Sequence, residues 1–196
     1  MPISFKLLLK LVCSLPHIWQ SSYEAKLFAS AFSSAFFGLL WVGKFTAETK
    51  SAPGTHVIGF HDILIQNNAG VEELHLKIRS SKTDQARNST TLIVRQQANP
   101  STCPVRLMKM YLRVRQKLDE SQLYVHFDGS LLTRYQFSSV LQKSLVFCEI
   151  PGHFKPHSFR IGGATEAKRL GVTDDIIKQW GRWNSNVYLK YIRFNF

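Results

Sequence analysis

Cysteine is scarce in this sequence, which contains only Cys13, Cys103 and Cys148. The three lie far apart, and their spacing is neither that of a zinc knuckle nor that of a redox-active pair. This pattern argues against a disulfide framework and against a cysteine metal site. We expect three buried thiols.

Acidic residues are also few, since 13 Asp and Glu stand against 25 Lys and Arg, for a net charge of +12. With 44% hydrophobic and only 19% charged residues, the chain is too apolar to be a disordered basic tail. A folded domain with this charge suits a polyanionic partner, and we favour nucleic acid. An anionic membrane surface and a solvated basic surface without a partner are the alternatives.

Long apolar runs are missing as well. The stretch from Ala29 to Gly43 has no charged residue, but it is shorter than the roughly 20 residues that a membrane-spanning helix needs. The start, MPISFKLLLKLVCSL, resembles a secretory signal, yet Lys10 interrupts its apolar run. We therefore expect a buried helix, an amphipathic helix before it, and no membrane partner.

The order of the other patterns predicts a mainly helical α+β fold with a small antiparallel sheet. A helix capped by Ser21 or Ser22 should run to Gly43, and three β-rich runs lie between His56 and Arg95. The segment LYVHF reads as a further short strand. Further helices are expected from Pro104 over VRLMKMYLRVRQKL, and over 133–147, 157–171, 172–180 and 184–196.

Two segments near the end carry the residues with chemical potential. PHSFRIGGATEAKRLGV places His157 and Arg160 on one face of a helix, and GRWNSNVYLKYIR contains Tyr191 and Arg193. Taken separately, the first pair is typical of a protein surface and the tyrosine of a core.

Together these segments resemble the tyrosine recombinase (phage integrase) family, most closely the Crypton-type and DIRS-type mobile elements of eukaryotes. PHSFRIGGATEA followed by GRWNS and a tyrosine carries most of the likeness. The segments YEAKLFASAFSSAFFGLLWVGKFT, CPVRLMKMYLRVR and LTRYQFSSVLQKSL extend it over nearly the whole chain. The resemblance implies that residues 1–196 form the catalytic domain, without the family's N-terminal core-binding domain.

The resemblance implies DNA recombination and integration through a 3′-phosphotyrosyl intermediate, with no metal, no cofactor and no small-molecule substrate. The nucleophile maps to Tyr191, with Tyr188 as the alternative. A tyrosine of pKa about 10 needs a base and a cationic pocket to react at neutral pH.

The same resemblance implies four partners for this tyrosine. His157 matches the base or phosphate-binding position, and Arg160 the second arginine, which would hold phosphate oxygens in a planar fork. Lys82 matches the lysine that protonates the leaving 5′-oxygen. Trp183 matches the position whose ring N–H binds the phosphate.

One departure concerns the family's first arginine, whose position here is Trp41, in FGLLWVGKFT. An indole offers a single uncharged donor. Loss of one preorganised donor typically costs roughly 10²- to 10³-fold in rate, so we expect impaired catalysis. Compensation by Lys44 is the less favoured alternative. A non-catalytic DNA-binding module, a relic of a mobile element, and a product that merely folds are the competing hypotheses.

The expected partner is duplex DNA, held mainly through backbone phosphates by basic residues around the site. These predicted contacts are Arg79, Lys155, Arg182, Lys190 and Arg193. The resemblance also implies assembly into a homo-oligomer on DNA. A nuclear location is expected from the substrate alone.

Overall fold

Helices at both ends of the chain enclose a three-stranded sheet. The computed structural model describes residues 1–52, 56–79, 89–116 and 122–194. The helices of the described residues are α1 (Phe5–Ile18), α2 (Ser22–Phe37), α3 (Pro104–Leu112), α4 (Arg134–Phe147), α5 (His157–Arg169) and α6 (Asp174–Gly181). The strands are β1 (Ile63–Asn68), β2 (Val71–Ile78) and β3 (Thr90–Arg95). Short 3₁₀ segments cover Val42–Lys44, Phe60–Asp62 and Asn186–Tyr191. The predicted α+β class is confirmed.

Helix α2 is the centre of the fold. Every residue from 23 to 36 except Lys26 is buried, and α2 contacts α1, α3 and α5. Ser21 caps its start by accepting a hydrogen bond from the Glu24 N–H. The apolar composition is therefore that of a core helix, as predicted.

The sheet is antiparallel, in the order β1-β2-β3. Ala69 and Gly70, both at positive φ, form the two-residue turn between β1 and β2, as in a type I′ hairpin. Leu76 lies opposite both Ile63 and Leu92. Strands β2 and β3 pack on α3, so the sheet completes one side of the main core.

Two adjacent glycines allow α5 to approach the N-terminal segment and α2. A Cβ atom on Gly162 would lie 1.8 Å from the Ile3 carbonyl oxygen, and one on Gly163 would lie 2.1 Å from the Phe36 carbonyl oxygen. Only glycine fits such contacts. This packing places the start of α5 beside the end of α2.

Helix α2 ends at Phe37, not at Gly43 as predicted, because the chain makes a Schellman turn there. The Leu39 N–H bonds to the Phe36 carbonyl, and the Leu40 N–H bonds to the Ala35 carbonyl. Leu39 has φ 45°, a left-handed conformation that usually belongs to glycine. Its local sequence therefore gives little sign of the turn.

Other boundaries also differ from the predictions. Residues 56–62 contain no strand, and α3 ends at Leu112. Residues 122–127 contribute isolated β-bridges in place of a strand. Residues 186–191 form a 3₁₀ segment instead of an α-helix. The expectation of three buried thiols is confirmed for Cys103 and wrong for Cys13, which is exposed, and Cys148 is only half-buried.

The described ranges can be searched directly for helices that could span a membrane. No helix in them is both long and apolar enough to cross a bilayer. The start of the chain instead forms α1, whose Leu8, Leu11 and Leu15 are fully buried.

We expect Gly163→Ala to destabilise the protein by about 1–3 kcal/mol, because the added methyl group overlaps the Phe36 carbonyl. The sign of the effect is informative, since alanine stabilises a solvated helix relative to glycine by about 0.5–1 kcal/mol. Thermal denaturation of the two proteins tests the contact. A higher melting temperature for the variant would contradict it.

Candidate functional site

Arg160 lies in the first turn of α5 and is 1% exposed, less than any other charged side chain of the described residues. Its Nη1 donates to the Leu39 carbonyl oxygen, and its Nη2 donates to the Gly181 carbonyl oxygen at 2.6 Å. Nε has no hydrogen-bond partner within the described ranges. Arg160 thus ties α5 to the turn after α2 and to the end of α6.

Three aromatic rings surround this guanidinium. Its Cζ lies 4.1 Å from the ring centroid of Trp183, 5.1 Å from that of Trp41 and 5.4 Å from that of Tyr191. Rings at such distances attract a cation through their π faces. Burial, and then the charge of Arg182, lower the pKa of Arg160 to about 9, while Tyr191 opposes this shift. Arg160 is therefore a cation at neutral pH.

His157 begins α5 and bridges Trp41 and Tyr191. Its ring centroid lies 4.7 Å from that of Trp41 and 5.1 Å from that of Tyr191. Burial lowers the pKa of His157, and the charges of Arg160 and Arg193 lower it further. Nδ1 is buried without a hydrogen-bond partner in the part of the chain that the structure describes. The imidazole is thus neutral at neutral pH and able to accept a proton.

The two candidate tyrosines lie in different surroundings. Tyr191 is half-buried, and its ring lies 4.7 Å from that of Trp183. Tyr188 is 3% exposed and belongs to a second hydrophobic cluster with Leu39, Ala164, Ala167 and Ile177. Tyr191 also packs against the edge of this cluster, but it is the more exposed of the two and contacts the His157 ring.

Backbone contacts hold Tyr191 against α5. The Thr165 hydroxyl shares its proton between the Ile161 carbonyl oxygen at 2.8 Å and the Tyr191 carbonyl oxygen at 3.1 Å, and it accepts a hydrogen bond from the Arg193 N–H at 3.1 Å. One α5 side chain therefore fixes both sides of this position.

Trp183 depends on the glycine that ends α6. A Cβ atom on Gly181 would lie 1.8 Å from the Trp183 ring. Arg182, between them, adopts the left-handed conformation with φ 56°. This turn folds the indole back over Arg160, in place of directing it away from the helix end.

The structure therefore brings together Trp41, His157, Arg160, Trp183 and Tyr191, which the sequence placed in one site. Lys82 lies outside the described residues. No group of three His, Cys, Asp or Glu side chains that could hold a metal occurs within the described ranges.

Four of the five predicted DNA contacts are exposed, and the fifth, Arg182, is partly buried. Lys155, Lys190 and Arg193 are exposed. Arg79 is exposed but pairs with Asp62, Nε to Oδ2 at 3.0 Å. Arg182 differs from the others, because its guanidinium donates to carbonyl oxygens and burial lowers its pKa to about 10.

Sequence reasoning missed Arg134, the first residue of α4. It lines an open pocket of about 470 Å³ together with Trp41, Lys44, Lys155 and His157. The sequence did contain one sign of its role. A positive charge in the first turn of a helix interacts unfavourably with the helix dipole, so an arginine there is unusual. A residue that breaks a local rule in this way often serves another role.

The fold is similar to those of known recombinases. The sequence matches no protein-family model, and no curated protein is significantly similar to it. The XerH site-specific recombinase, in its post-cleavage complex with palindromic difH substrate, aligns with a TM-score of 0.71 and 14% identity over 99% of this chain and 49% of its own. The XerA recombinase aligns with a TM-score of 0.65 and 16% identity over 100% of this chain and 60% of its own.

A lambda integrase dimer bound to a COC′ core site aligns with a TM-score of 0.65 and 10% identity, over 98% of this chain and 47% of its own. The chain thus spans about half the length of the XerH and lambda integrase chains. Its fold is that of the tyrosine recombinase catalytic domain. The Crypton-type and DIRS-type likeness stays a prediction.

We expect the pKa of His157, measured by NMR titration of its imidazole protons, to lie below the ordinary value of about 6.5. Arg193→Gln should raise this pKa, because it removes one of the charges that depress it. Since folding favours the neutral ring, stability should fall as the pH drops through the unfolded-state pKa.

Lys190→Gln is the matched control for this titration, since Lys190 is equally exposed and does not contribute to the His157 shift. An equal rise in both variants would contradict a specific effect of Arg193.

Proposed function

We propose that this chain is a DNA-binding, recombinase-like domain that uses Tyr191 as the nucleophile of a strand-transfer reaction with impaired catalysis. The single observation that carries the proposal is the contact of Tyr191 with both a neutral imidazole and a buried guanidinium. The fold similarity to XerH and lambda integrase supports it.

In the proposed reaction the Tyr191 hydroxyl oxygen attacks a DNA phosphorus atom. A bond from the tyrosyl oxygen to phosphorus forms, and the bond from phosphorus to the 5′-oxygen breaks. His157 accepts the tyrosyl proton in the proposed step. Its lowered pKa leaves the imidazole unprotonated and so able to accept, and it also makes His157 a weaker base than an exposed histidine. The leaving 5′-oxygen needs a proton in turn, and Lys82 is the proposed donor. A free 5′-hydroxyl reverses the step and restores the tyrosine.

Arg160 is the proposed source of charge stabilisation for the phosphate. Its positive charge lies beside Tyr191, where negative charge develops during the attack. Two of its hydrogen bonds already go to carbonyl oxygens, and its guanidinium lies over the ring of Trp41. In this arrangement Arg160 acts more through its field than through a two-point hydrogen bond to phosphate.

Trp41 is the basis of the proposed impairment. Its side chain is 47% exposed and lies between His157 and Arg160. An uncharged indole at this position provides neither a second positive charge nor a planar pair of donors. The transition state should therefore lose a contact worth at least roughly 10²-fold in rate.

A non-catalytic DNA-binding module is the second candidate. The closed hydrogen bonding of Arg160 favours it, because a guanidinium that donates to two carbonyl groups is less free to bind phosphate. Both candidates share duplex DNA as the partner, and homo-oligomer assembly on DNA and a nuclear location belong to the same proposal.

We expect the chain to bind unrelated DNA duplexes with similar affinity and a steep dependence on salt. Three to five phosphate contacts would lower the affinity roughly 50- to 500-fold between about 50 and 200 mM salt. Fluorescence anisotropy with two duplexes of different sequence measures both properties. An affinity that does not change with salt would contradict phosphate-based binding.

We expect Trp41→Arg to relax supercoiled plasmid DNA at least about 10²-fold faster than the unmodified chain, because it restores a charged donor beside the phosphate. Tyr191→Phe in the same background should abolish relaxation. Tyr188→Phe is its matched control and should retain the activity.

Two results of this assay would count against the proposal. Equal rates for the unmodified chain and Trp41→Arg would show that catalysis is not impaired at residue 41. Relaxation that survives Tyr191→Phe but not Tyr188→Phe would move the nucleophile to Tyr188.

A further inference from the structure

The pocket beside Trp41 is lined by positive and neutral polar groups. Its volume is about 470 Å³, and its polar side chains are Lys44, Arg134, Ser138, Lys155 and His157. None of the described residues that line it carries a carboxylate. These residues come from three separate parts of the chain, which the fold brings together around one opening.

Arg134 is placed in this pocket by the capped start of α4. The Thr133 hydroxyl accepts the Gln136 N–H, and the Gln136 side chain accepts the Thr133 N–H, which forms a capping box. The guanidinium then lies against the backbone of Gly43, where a Cβ atom would come within 2.8 Å of Nη2. The glycine thus makes room for the arginine.

The Arg134 side chain is exposed, and its guanidinium has no hydrogen bond or ion pair to the residues that the structure describes. Lys155, which is exposed, lines the same pocket, and its side chain is likewise unpaired in those residues. Two unpaired cations that line one pocket are the donors that a phosphate group binds.

The remaining polar groups of the pocket fit the same ligand. Lys44 donates to the Arg79 carbonyl oxygen at 3.3 Å and has no acidic partner in the described ranges. Burial lowers the pKa of Lys44, and the charge of Arg182 lowers it further. An anion in this pocket would therefore relieve repulsion between cations as well as gain hydrogen bonds.

The pocket is separate from the position that Tyr191 attacks. Trp41 and His157 line it, whereas Arg160 and Tyr191 do not. The pocket therefore adjoins the Tyr191 site through Trp41 and His157, and its basic side chains Arg134 and Lys155 extend away from Arg160.

We propose that this pocket binds a flanking phosphate of the DNA backbone and that Arg134 is its principal ligand. This inference rests on the proposed function and adds a positioning site to it. The pocket anchors the strand through an arginine that lies outside the Trp41 position, so DNA affinity is retained although residue 41 offers no charge.

Inorganic phosphate tests the pocket without DNA. In ¹H–¹⁵N spectra, the Trp41 indole N–H signal, assigned with Trp41→Phe, should shift on titration with phosphate and not with chloride at equal ionic strength. Arg134→Gln should weaken this response roughly tenfold or more. Arg106→Gln, an exposed arginine of α3 outside the pocket, should leave it unchanged.

The same variants are then compared in DNA binding. Arg134→Gln should reduce the slope of log affinity against log salt by about one, the loss of a single phosphate contact. Arg134→Lys should restore the slope, because it keeps the charge, but only part of the affinity, because it lacks the planar fork. Arg106→Gln should bind as the unmodified chain does.

The outcomes separate the two proposals. If DNA binds but Arg134→Gln and Arg106→Gln behave alike, the pocket proposal is overturned and the proposed function stands. If the unmodified chain does not bind DNA, the proposed function fails, and the phosphate titration alone decides whether the pocket is an anion site. A Trp41 signal that ignores phosphate would overturn that site.

Discussion

The rest of this site depends on the hydrogen bonds that the buried guanidinium of Arg160 donates to two backbone carbonyl groups. Moving a charged group out of water costs roughly several kcal/mol unless hydrogen bonds and the partial charges of neighbouring groups offset the lost hydration. Here the Leu39 and Gly181 carbonyl groups and three aromatic faces provide that compensation. Both carbonyl groups belong to Schellman turns whose left-handed residue is not glycine, Leu39 in one and Arg182 in the other. Both turns therefore meet the same cation.

This dependence explains which features the sequence could predict. Local signals were sufficient for α4, with its cap at Thr133, and for the start of α5 at His157. The end of α2 was not predictable, since Leu39 takes its left-handed conformation where Arg160, far along the chain, binds its carbonyl group. The three rings around Arg160, which are Trp41, Trp183 and Tyr191, were identified through the resemblance to the tyrosine recombinase family. Arg134 was missed because its neighbour Gly43 is distant in sequence.

Trp41 lies where positive charge is already concentrated. Arg160, Arg182 and Lys44 already concentrate positive charge near this position, and two of their pKa values are lowered partly by mutual repulsion. An arginine at residue 41 would add to that repulsion whenever no phosphate is bound. The indole instead packs on His157 and offers its π face to Arg160.

Tyr191 ends a six-residue 3₁₀ segment. The direction of its side chain therefore depends on how many residues this segment has per turn. A 3₁₀ helix advances about 120° per residue and an α-helix about 100°. Rewinding the three residue steps from Tyr188 to Tyr191 would therefore turn one ring by roughly 60° relative to the other. Since Tyr188 is fixed in the hydrophobic cluster, it acts as the pivot. The direction of the Tyr191 hydroxyl is thus set by how tightly the backbone turn between Tyr188 and Tyr191 is wound.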